Sequence, residues 1–227
     1  MKIIELESVD STNEYIKRLG LGGDVIVVAK RQTGGKGTKG RSFASDEGGL
    51  YLSIARTYNN FDPAKTFTLM INACVAVCKT LEEFGLKPTV KWANDVLLGG
   101  KKICGTLIEN THLSAHICHS IVGIGINVNN ILPSELNDIA TTMRAQLAKK
   151  TDIGKVKTAL IKNLQNSYNV NDYKRYVDWF GRKIMLDMNG EKTEAIALDI
   201  AEDGRLICKI DNNIRQISSA EVSLRLN

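Results

Sequence analysis

The sequence lacks the features that mark secreted, membrane-spanning and nucleic-acid-binding chains. Its first residues, MKIIELESVD, carry acids where a secretory signal carries an apolar core. Its most apolar helical stretch, residues 67–78, is interrupted by Thr68 and Asn72 and is too short to cross a bilayer. No long run of Lys or Arg accompanies the net charge of +5. That charge favours an anionic ligand or an acidic partner without requiring nucleic acid.

The cysteines lack any CxxC spacing, and their number, 5, is odd. Disulfide frameworks and zinc or redox motifs use cysteines in pairs at short spacings. We therefore predict reduced, mostly buried thiols in a cytoplasmic protein. These residues are Cys74, Cys78, Cys104, Cys118 and Cys208. His112, His116 and His119 straddle a predicted hairpin turn, where helical ligand spacing is not preserved, so no zinc site is predicted.

The apolar pattern predicts an α+β protein in two parts. Ser11 to Glu14 opens a short helix with a Ser or Thr cap, and residues 65–84 and 155–180 read as longer helices. Predicted strands are 24–30, 50–55, 89–92, 96–98, 103–109 and 117–128. After Gly181 the pattern changes to short strands separated by turns, at 182–188, 193–199, 205–210 and 213–217. We predict a main domain over 1–180 and a small β-barrel over 181–227.

The stretch QTGGKGTKGR, residues 32–41, contains a GxGxxG pattern. A dinucleotide site needs these glycines to open a helix, but here Gly48-Gly49 and a strand follow. The Lys and Ser/Thr order of a Walker loop is also missing. What remains is a loop whose amides and cations Lys36, Lys39 and Arg41 can surround an anion, or a solvated hairpin loop. The loop by itself leaves both readings open.

A second polar segment, KWANDVLLGGKKICGTLIEN, spans residues 91–110. Asn94 and Asp95 offer hard oxygen ligands suited to magnesium on a polyphosphate. Lys102 precedes Gly105, where the missing side chain lets a ligand approach the backbone. The strand HSIVGIGINVNN then carries Gly123 and Gly125, which indicate either close packing or a bulge.

Taken together, these motifs resemble the biotin–protein ligases (biotin–acetyl-CoA-carboxylase ligases) of the short type without a DNA-binding domain. The resemblance runs nearly end to end. It is carried by motifs that keep their order: Ser11-Thr12-Asn13, Gln32 to Arg41, Lys91-Trp92-Ala93-Asn94-Asp95, Lys102-Ile103-Cys104-Gly105, Gly123 to Asn127, and Glu221-Val222-Ser223-Leu224-Arg225. It implies a class II synthetase-like catalytic domain, a mixed sheet flanked by helices, followed by an SH3-like barrel.

The resemblance also implies a reaction and a set of site residues. The enzyme is expected to activate biotin with ATP as biotinyl-5′-AMP and to transfer biotin to a lysine of a biotin carboxyl carrier protein. Lys102 is expected to be catalytic, bridging the biotin carboxylate and the α-phosphate. Expected biotin contacts are Ser11, Thr12, Asn13, Gln32, Gly35, Lys36, Gly37, Thr38, Lys102, Gly105 and Gly123. Expected ATP contacts are Lys36, Lys39, Arg41, Phe43, Lys91, Trp92, Asn94, Lys102, Asn127 and Arg225. Asp95 is the expected Mg²⁺ ligand, with ATP and Mg²⁺ as co-substrate and activator and no tightly bound cofactor.

The sequence departs from the family pattern at several positions. Lys36 and Thr38 stand where the family has two arginines in the loop. Lys36 keeps the positive charge but lacks the bidentate guanidinium, and Thr38 lacks both. We therefore expect this chain to hold its adenylate less tightly than relatives with arginine there. Ala93 stands where the family has proline, Phe43 where it often has tryptophan, and Ala220 where it has glycine.

Other functions remain open at this point. Lipoate–protein ligases share the adenylation logic, and a non-catalytic biotin- or adenylate-binding protein is a second alternative. A DNA-binding regulator is not expected, because the first residues lead straight into Ser11-Thr12-Asn13. No membrane association is expected. A homodimer, or strand pairing with the carrier, stays open because the strands 24–30 and 119–128 are interpreted as candidate sheet edges.

Overall fold

A computed structural model describes residues 1–20, 23–188, 190–219 and 222–226; for Met188 and 222–226 only the backbone is described. The strands of the first part are β1 (Lys2–Val9), β2 (Val25–Gln32), β3 (Leu50–Phe61), β4 (Thr89–Lys91), β5 (Asp95–Leu98), β6 (Lys101–Leu113) and β7 (His116–Ile126). The helices are α1 (Thr12–Arg18), α2 (Thr66–Glu83), α3 (Met143–Leu147), α4 (Ile153–Asn163) and α5 (Val170–Lys174). The last part contains β8 (Lys183–Met188), β9 (Glu191–Ile200), β10 (Leu206–Ile210), β11 (Asn213–Ile217) and β12 (Val222–Leu226).

The first part is built on a mixed sheet of seven strands in the order β1-β2-β3-β7-β6-β5-β4. β1 runs parallel to β2, and the remaining neighbours are antiparallel. α2 and α4 pack against one face of this sheet, where they share one buried core with its strands. α1 covers part of the other face, with Ile16 against Val27, Ala55 and Ile121. The predicted α+β class, a mixed sheet flanked by helices, is confirmed.

The edges of the sheet differ from the prediction. β2 lies between β1 and β3, and β7 lies between β3 and β6, so neither is an edge strand. The interpretation of strands 24–30 and 119–128 as candidate edges is therefore wrong. β1 occupies the edge beside β2, and the apolar pattern did not reveal it because its side chains are exposed or half-buried.

The helix predicted over 155–180 is two helices instead. α4 ends at Asn163, and α5 begins at Val170 behind a capping box in which Asn169 and Asp172 bond each other's backbone amides. Between the two helices, the Tyr168 amide donates 2.8 Å to Asn72 Oδ1 on α2. Because the Tyr168 amide bonds a side chain of α2, it does not make the backbone bond that a continuous helix requires, and the chain forms two helices.

The long helix 65–84 is confirmed, with bounds at Thr66–Glu83. Gly85, with φ of 78°, ends it in the left-handed conformation that favours glycine. Pro63–Glu83 is the one helical stretch of the described residues that is long and apolar enough to span a membrane, and half of it is buried inside the fold. Core helices of water-soluble proteins satisfy the same length and composition test, and this one fills the space beneath the sheet.

The last part is a five-stranded antiparallel sheet in the order β11-β10-β9-β8-β12. The predicted small β-domain is confirmed, but no pairing between β11 and β12 closes a barrel within the described residues. It contacts the first part directly: Trp92 Nε1 donates 2.9 Å to the Gly204 carbonyl, and Lys174 Nζ lies 2.6 Å from Asp199 Oδ1. The division at residue 180 stays a prediction.

Tyr173 supports the segment that precedes β5. Its buried hydroxyl donates 2.9 Å to the Ala93 carbonyl, which otherwise has the weak thiol contact of Cys74 Sγ at 3.9 Å. We expect Tyr173→Phe to lower the free energy of unfolding by about 1–2 kcal/mol, because it leaves a buried carbonyl poorly paired. Urea denaturation measures this, with Tyr168→Phe as the control. The half-buried hydroxyl of Tyr168 bonds the Asn163 carbonyl at 3.1 Å, where water can replace it, so an equal loss in both variants would contradict the explanation.

Candidate active site

Two adjoining clefts are lined by residues of the glycine-rich loop, and the first of them also by residues at the start of α1. The first cleft is lined by Ser11, Thr12, Asn13, Gln32, Lys36, Gly37, Thr38, Phe43, Tyr51, Asn94, Lys102, Gly105, Thr106, Leu107, Gly123, Ile124 and Gly125. The second cleft is lined by Thr38, Lys39, Arg41, Met70, Lys91, Trp92, Ala93, Asn94, Asp95 and Ser219. Thr38 and Asn94 line both clefts, so the two form one elongated site.

Glycines of β6 and β7 form the floor of the first cleft. Gly105 pairs with Gly125 across the two strands, and Gly123 lies two residues along the same face. A Cβ on Gly123 would lie 2.5 Å from Asn13 Oδ1, and one on Gly125 would lie 2.6 Å from the Phe43 ring. Only glycine therefore permits these approaches, and the sheet has an indentation where it would otherwise carry side chains.

A half-buried hydrogen-bond network forms the wall of the first cleft on the α1 side. Gln32 Oε1 accepts from the Thr12 amide at 2.8 Å and from Thr12 Oγ1 at 3.1 Å. Gln32 Nε2 donates 2.9 Å to Ser45 Oγ, which in turn donates 2.8 Å to the Phe43 carbonyl. These bonds fix the side-chain amide of Gln32, so its orientation is set before any ligand arrives.

Asn13 is held from two sides. Ser53 Oγ, fully buried on β3, donates 2.5 Å to Asn13 Oδ1 and lies 2.6 Å from Thr12 Oγ1. Asn13 Nδ2 donates 2.7 Å to Glu109 Oε2, and Lys17 Nζ binds the other oxygen of Glu109 at 2.7 Å. The Asn13 amide therefore has one defined orientation toward the glycine floor.

The predicted cap of α1 is not formed. Ser11 occupies the position before the helix in an extended conformation, but its side chain makes no capping bond. The amides near the helix start are bound by other residues: Ser11 N by Asp10 Oδ1 and Thr12 N by Gln32 Oε1, both at 2.8 Å. The pKa of the Asp10 carboxyl lies well below its usual range, chiefly because Arg18 bonds the carboxylate and secondarily because the Ser11 amide does. The first amides of α1 are thus bonded by side chains of neighbouring residues and of the cleft wall, and not by the Ser11 side chain.

Lys102 lies where the two clefts meet. Its Nζ is 2.6 Å from Asp95 Oδ1 and 5.7 Å from the centre of the Phe43 ring. The contact with Asp95 is close enough for an ion pair but is not aligned as a hydrogen bond, so Oδ1 has no aligned donor among the described residues. The side chains of Lys102 and Asp95 are 33% and 21% exposed, so a ligand can reach both.

The glycine-rich loop crosses the opening of the first cleft in a closed hairpin. Its base is fixed by Gly34 N to the Asp10 carbonyl at 2.8 Å and by Phe43 N to the Gly35 carbonyl at 2.9 Å. The predicted binding residue Gly35 lies behind the lining, where a Cβ would be 2.4 Å from Ser45 Oγ. At the crest, Arg41 Nη2 donates 3.2 Å to Thr38 Oγ1.

The structure brings most of the predicted site residues together in the two clefts. Phe43, predicted on the ATP side, lines the first cleft, where its ring covers Gly125. Trp92 lines the second cleft but is 4% exposed, with its indole N–H bonded to Gly204. Asn127 lines neither cleft: it is buried, and its Oδ1 accepts from Asn130 Nδ2 at 3.2 Å. The side chain of Arg225 lies outside the described residues, as do Ala220 and Glu221.

The buried cysteines are structural thiols. All five are free, and four of them are buried. Burial raises the pKa of Cys74 to about 12 and raises that of Cys104 as well, which keeps both thiols protonated and unreactive. The described residues contain no group of three or more His, Cys, Asp and Glu side chains arranged to hold a metal.

Sequence reasoning missed several residues of the site. Tyr51, Thr106, Leu107 and Ile124 line the first cleft, and Ser45, Ser53 and Glu109 support it from behind. Ser53 carried a local signal, since it is a small polar residue inside the apolar strand LYLSIA. Glu109 carried none, because its partner Asn13 is 96 residues away in the chain.

Comparison with known proteins places this geometry in a family. Residues 5–127 match the model of the Biotin/lipoate A/B protein ligase family, and residues 180–225 match that of the Biotin protein ligase C terminal domain. The chain therefore belongs to the biotin/lipoate A/B protein ligase family. The resemblance to biotin–protein ligases stated from the sequence is confirmed at this level.

Individual relatives agree. The chain is 32% identical over 216 residues to the "Bifunctional ligase/repressor BirA" of Bacillus subtilis, covering 88% of this chain and 66% of that protein, just under two thirds of its length. It is 25% identical over 231 residues to the "Biotin--[acetyl-CoA-carboxylase] ligase" of Mycobacterium tuberculosis, covering 93% of this chain and 85% of that protein. Among solved structures, the biotin protein ligase of Aquifex aeolicus in complex with biotin and ATP matches with a TM-score of 0.82 and 31% identity, covering 100% of this chain and 99% of that one.

Proposed function

We propose that the protein is an ATP-dependent biotin–[acetyl-CoA-carboxylase] ligase of the cytoplasm. It activates biotin as biotinyl-5′-AMP and then transfers biotin to one lysine of a biotin carboxyl carrier protein. The observation that carries the proposal is the elongated site, in which a glycine-floored cleft continues into a cation-bearing cleft with Lys102 at their junction. An acyl-adenylate has the same two-part form, with an acyl group joined to a nucleotide through a charged phosphate.

The reaction needs no protein nucleophile. The carboxylate oxygen of biotin attacks the α-phosphorus of ATP, the bond to the β-phosphate oxygen breaks, and pyrophosphate leaves. The neutral ε-amine of the carrier lysine then attacks the acyl carbon, the bond to the phosphate oxygen breaks, AMP leaves, and the nitrogen gives up one proton to water. Since biotin, ATP and the carrier lysine supply every bond that changes, the protein contributes positioning and charge stabilisation.

Lys102 supplies the charge at the junction. Its ammonium group, held 2.6 Å from Asp95 and above the Phe43 ring, lies within reach of both clefts. Negative charge gathers on the α-phosphoryl oxygens during the first step, and a fixed cation lowers the energy of that state. The fixed amides of Asn13 and Gln32 line the far end of the first cleft, where a polar head group fits.

The residues of the second cleft fit a magnesium ion carried by the polyphosphate. Asp95 is the one acid among the described residues that line the second cleft, and its carboxylate is 21% exposed beside Lys102. Mg²⁺ in nucleotide sites keeps most of its ligands from water and phosphate and uses one or two carboxylates. Asp95 would hold the ion, which would neutralise polyphosphate charge when bound.

Two features favour biotin over lipoate as the substrate. The C-terminal part matches a domain described for biotin protein ligases, and a close structural relative was solved with biotin and ATP. ATP–pyrophosphate exchange tests the choice. We expect exchange that requires biotin and Mg²⁺ and that lipoate does not support. Exchange driven equally well by lipoate, or by neither acid, would contradict the proposal.

Thr38 gives a further prediction about how long the adenylate stays bound. Thr38 lines both clefts at the crest of the loop and already accepts a bond from Arg41. An arginine there adds a charge-assisted contact to the phosphate. Because the loop is exposed to water, we expect this contact to contribute about 1 kcal/mol to the binding free energy. We expect Thr38→Arg to slow dissociation of biotinyl-5′-AMP about fivefold, measured by chasing labelled adenylate with unlabelled ligand. Thr33→Arg, at the outer base of the loop, is the control, and equal off-rates in all three proteins would contradict the role of Thr38.

A further inference from the structure

An ion pair joins the hairpin of the glycine-rich loop to α1. Lys36 Nζ lies 2.7 Å from Glu14 Oε1, and Lys17 Nζ lies 2.8 Å from the same oxygen. The hydrogen bonds from Lys17 and, to a smaller extent, from Lys36 lower the pKa of the Glu14 carboxyl. The carboxylate is therefore ionised at neutral pH. The Glu14 side chain is 26% exposed and that of Lys36 is 51% exposed, which places the pair at the protein surface.

The two partners stand on opposite walls of the first cleft. Lys36, Gly37 and Thr38 line it from the loop, and Ser11, Thr12 and Asn13 line it from the start of α1. Glu14 follows Asn13 directly, so its bond to Lys36 crosses the opening from one wall to the other. Backbone bonds hold the base and the hairpin of the loop together, whereas this side-chain bond joins the hairpin to α1.

Both walls carry bonds that give the ion pair a fixed anchor. On the α1 side, Lys17 binds Glu14 and also Glu109, whose other oxygen accepts from the buried Asn13. On the loop side, Gly37 N donates 2.7 Å to the Arg41 carbonyl, which keeps the crest in its hairpin form. A ligand leaving the first cleft over this crest requires the loop to lift from α1.

We propose that Glu14 is a positioning residue that, through Lys36, straps the loop across the first cleft before the ligand binds and slows the escape of the bound ligand. The identity of that ligand as biotin rests on the proposed function, but the strap itself does not. A loop ordered in advance loses less conformational freedom on binding, so the bound state is favoured. An exposed ion pair contributes little on its own, so the expected effect is a few-fold change rather than a loss of activity.

The strap is tested first without ligand, by hydrogen exchange of the amides of residues 36–40. We expect these amides to exchange about two- to fivefold faster in Glu14→Gln and in Lys36→Gln, with no further increase in the double variant, because both single changes break the same bond. Lys30→Gln breaks a similar exposed pair with Glu7, 2.8 Å long and away from the loop, and serves as the control. Unchanged exchange in the single variants, or effects that add in the double variant, would overturn the strap.

The consequence for the ligand is tested by the dissociation rate of biotin from wild type, the two single variants, the double variant and the control Lys30→Gln. We expect dissociation to be about two- to fivefold faster at low salt in the variants at Glu14 and Lys36, with the difference from wild type disappearing near 1 M salt, where exposed charges are screened. A fold-wide loosening would not respond to salt in this way. Faster exchange with unchanged biotin dissociation would refute the retention role. A protein that binds no biotin would refute the proposed function, while the exchange experiment would still decide the strap.

Discussion

Lys102→Ala is expected to lower the rate of biotin-dependent ATP–pyrophosphate exchange about 100- to 1000-fold while the protein stays folded. Removing one preorganised charge or donor at the reacting centre typically has an effect of that size on kcat. Lys102 is the cation at the junction of the two clefts, 2.6 Å from Asp95. Its loss leaves developing phosphoryl charge without a fixed partner.

The variant also leaves Asp95 without its ion pair, so a fold effect must be separated from a catalytic one. The double variant Lys102→Ala/Asp95→Asn removes the unpaired charge and is expected to unfold at the wild-type temperature yet remain inactive. Lys101→Ala is the matched control, because Lys101 is the neighbour on β6 and its Nζ bonds the Asn137 carbonyl at 2.7 Å. Exchange in Lys102→Ala within a few-fold of wild type would refute the assigned role.

Gly123→Ala is expected to weaken biotin binding by up to roughly 100-fold and, because the site is overpacked, to lower the free energy of unfolding by about 1–3 kcal/mol while the protein stays folded. The new methyl would lie 2.5 Å from Asn13 Oδ1. Asn13 cannot simply rotate away, because Ser53 and Glu109 hold its amide on both sides. The clash therefore displaces either the floor of the first cleft or the network beside it.

Isothermal titration with biotin measures this effect. Gly34→Ala is the control, since a Cβ there meets the Asp10 carbonyl at an ordinary 3.4 Å and Gly34 lies outside the lining of the first cleft. Biotin affinity in Gly123→Ala within twofold of wild type would mean that the glycine floor does not contact the ligand.

Local pattern was enough to predict much of the fold. The β-branched run of β2 and the apolar stripe of α2 predicted their elements, because side-chain burial on one face decides both. The edge strand β1 escaped notice, since exposed strands carry a weak apolar signal. The break between α4 and α5 also escaped, because it depends on Asn72, which lies 96 residues before Tyr168 in the chain.

The residues of the site also fall into a group that the sequence could predict and a group that it could not. The resemblance to a known family implied which segments meet, and the motifs that carry that resemblance are local properties of the sequence. The side chains that fix the site depend on distant partners: Ser53 bonds Asn13 from 40 residues away, and Glu14 bonds Lys36 from 22 residues away. Such bonds exist only once the sheet has brought β3, α1 and the loop together, so single-sequence patterns do not contain them.

The most direct test of the proposed function is the mass of a biotin carrier domain after incubation with the enzyme, ATP, Mg²⁺ and biotin. We expect the carrier to gain one biotinyl group, on a single lysine, and to gain nothing when ATP is omitted. A carrier whose mass stays unchanged, or one that gains a lipoyl group as readily when lipoate replaces biotin, would contradict the proposed function.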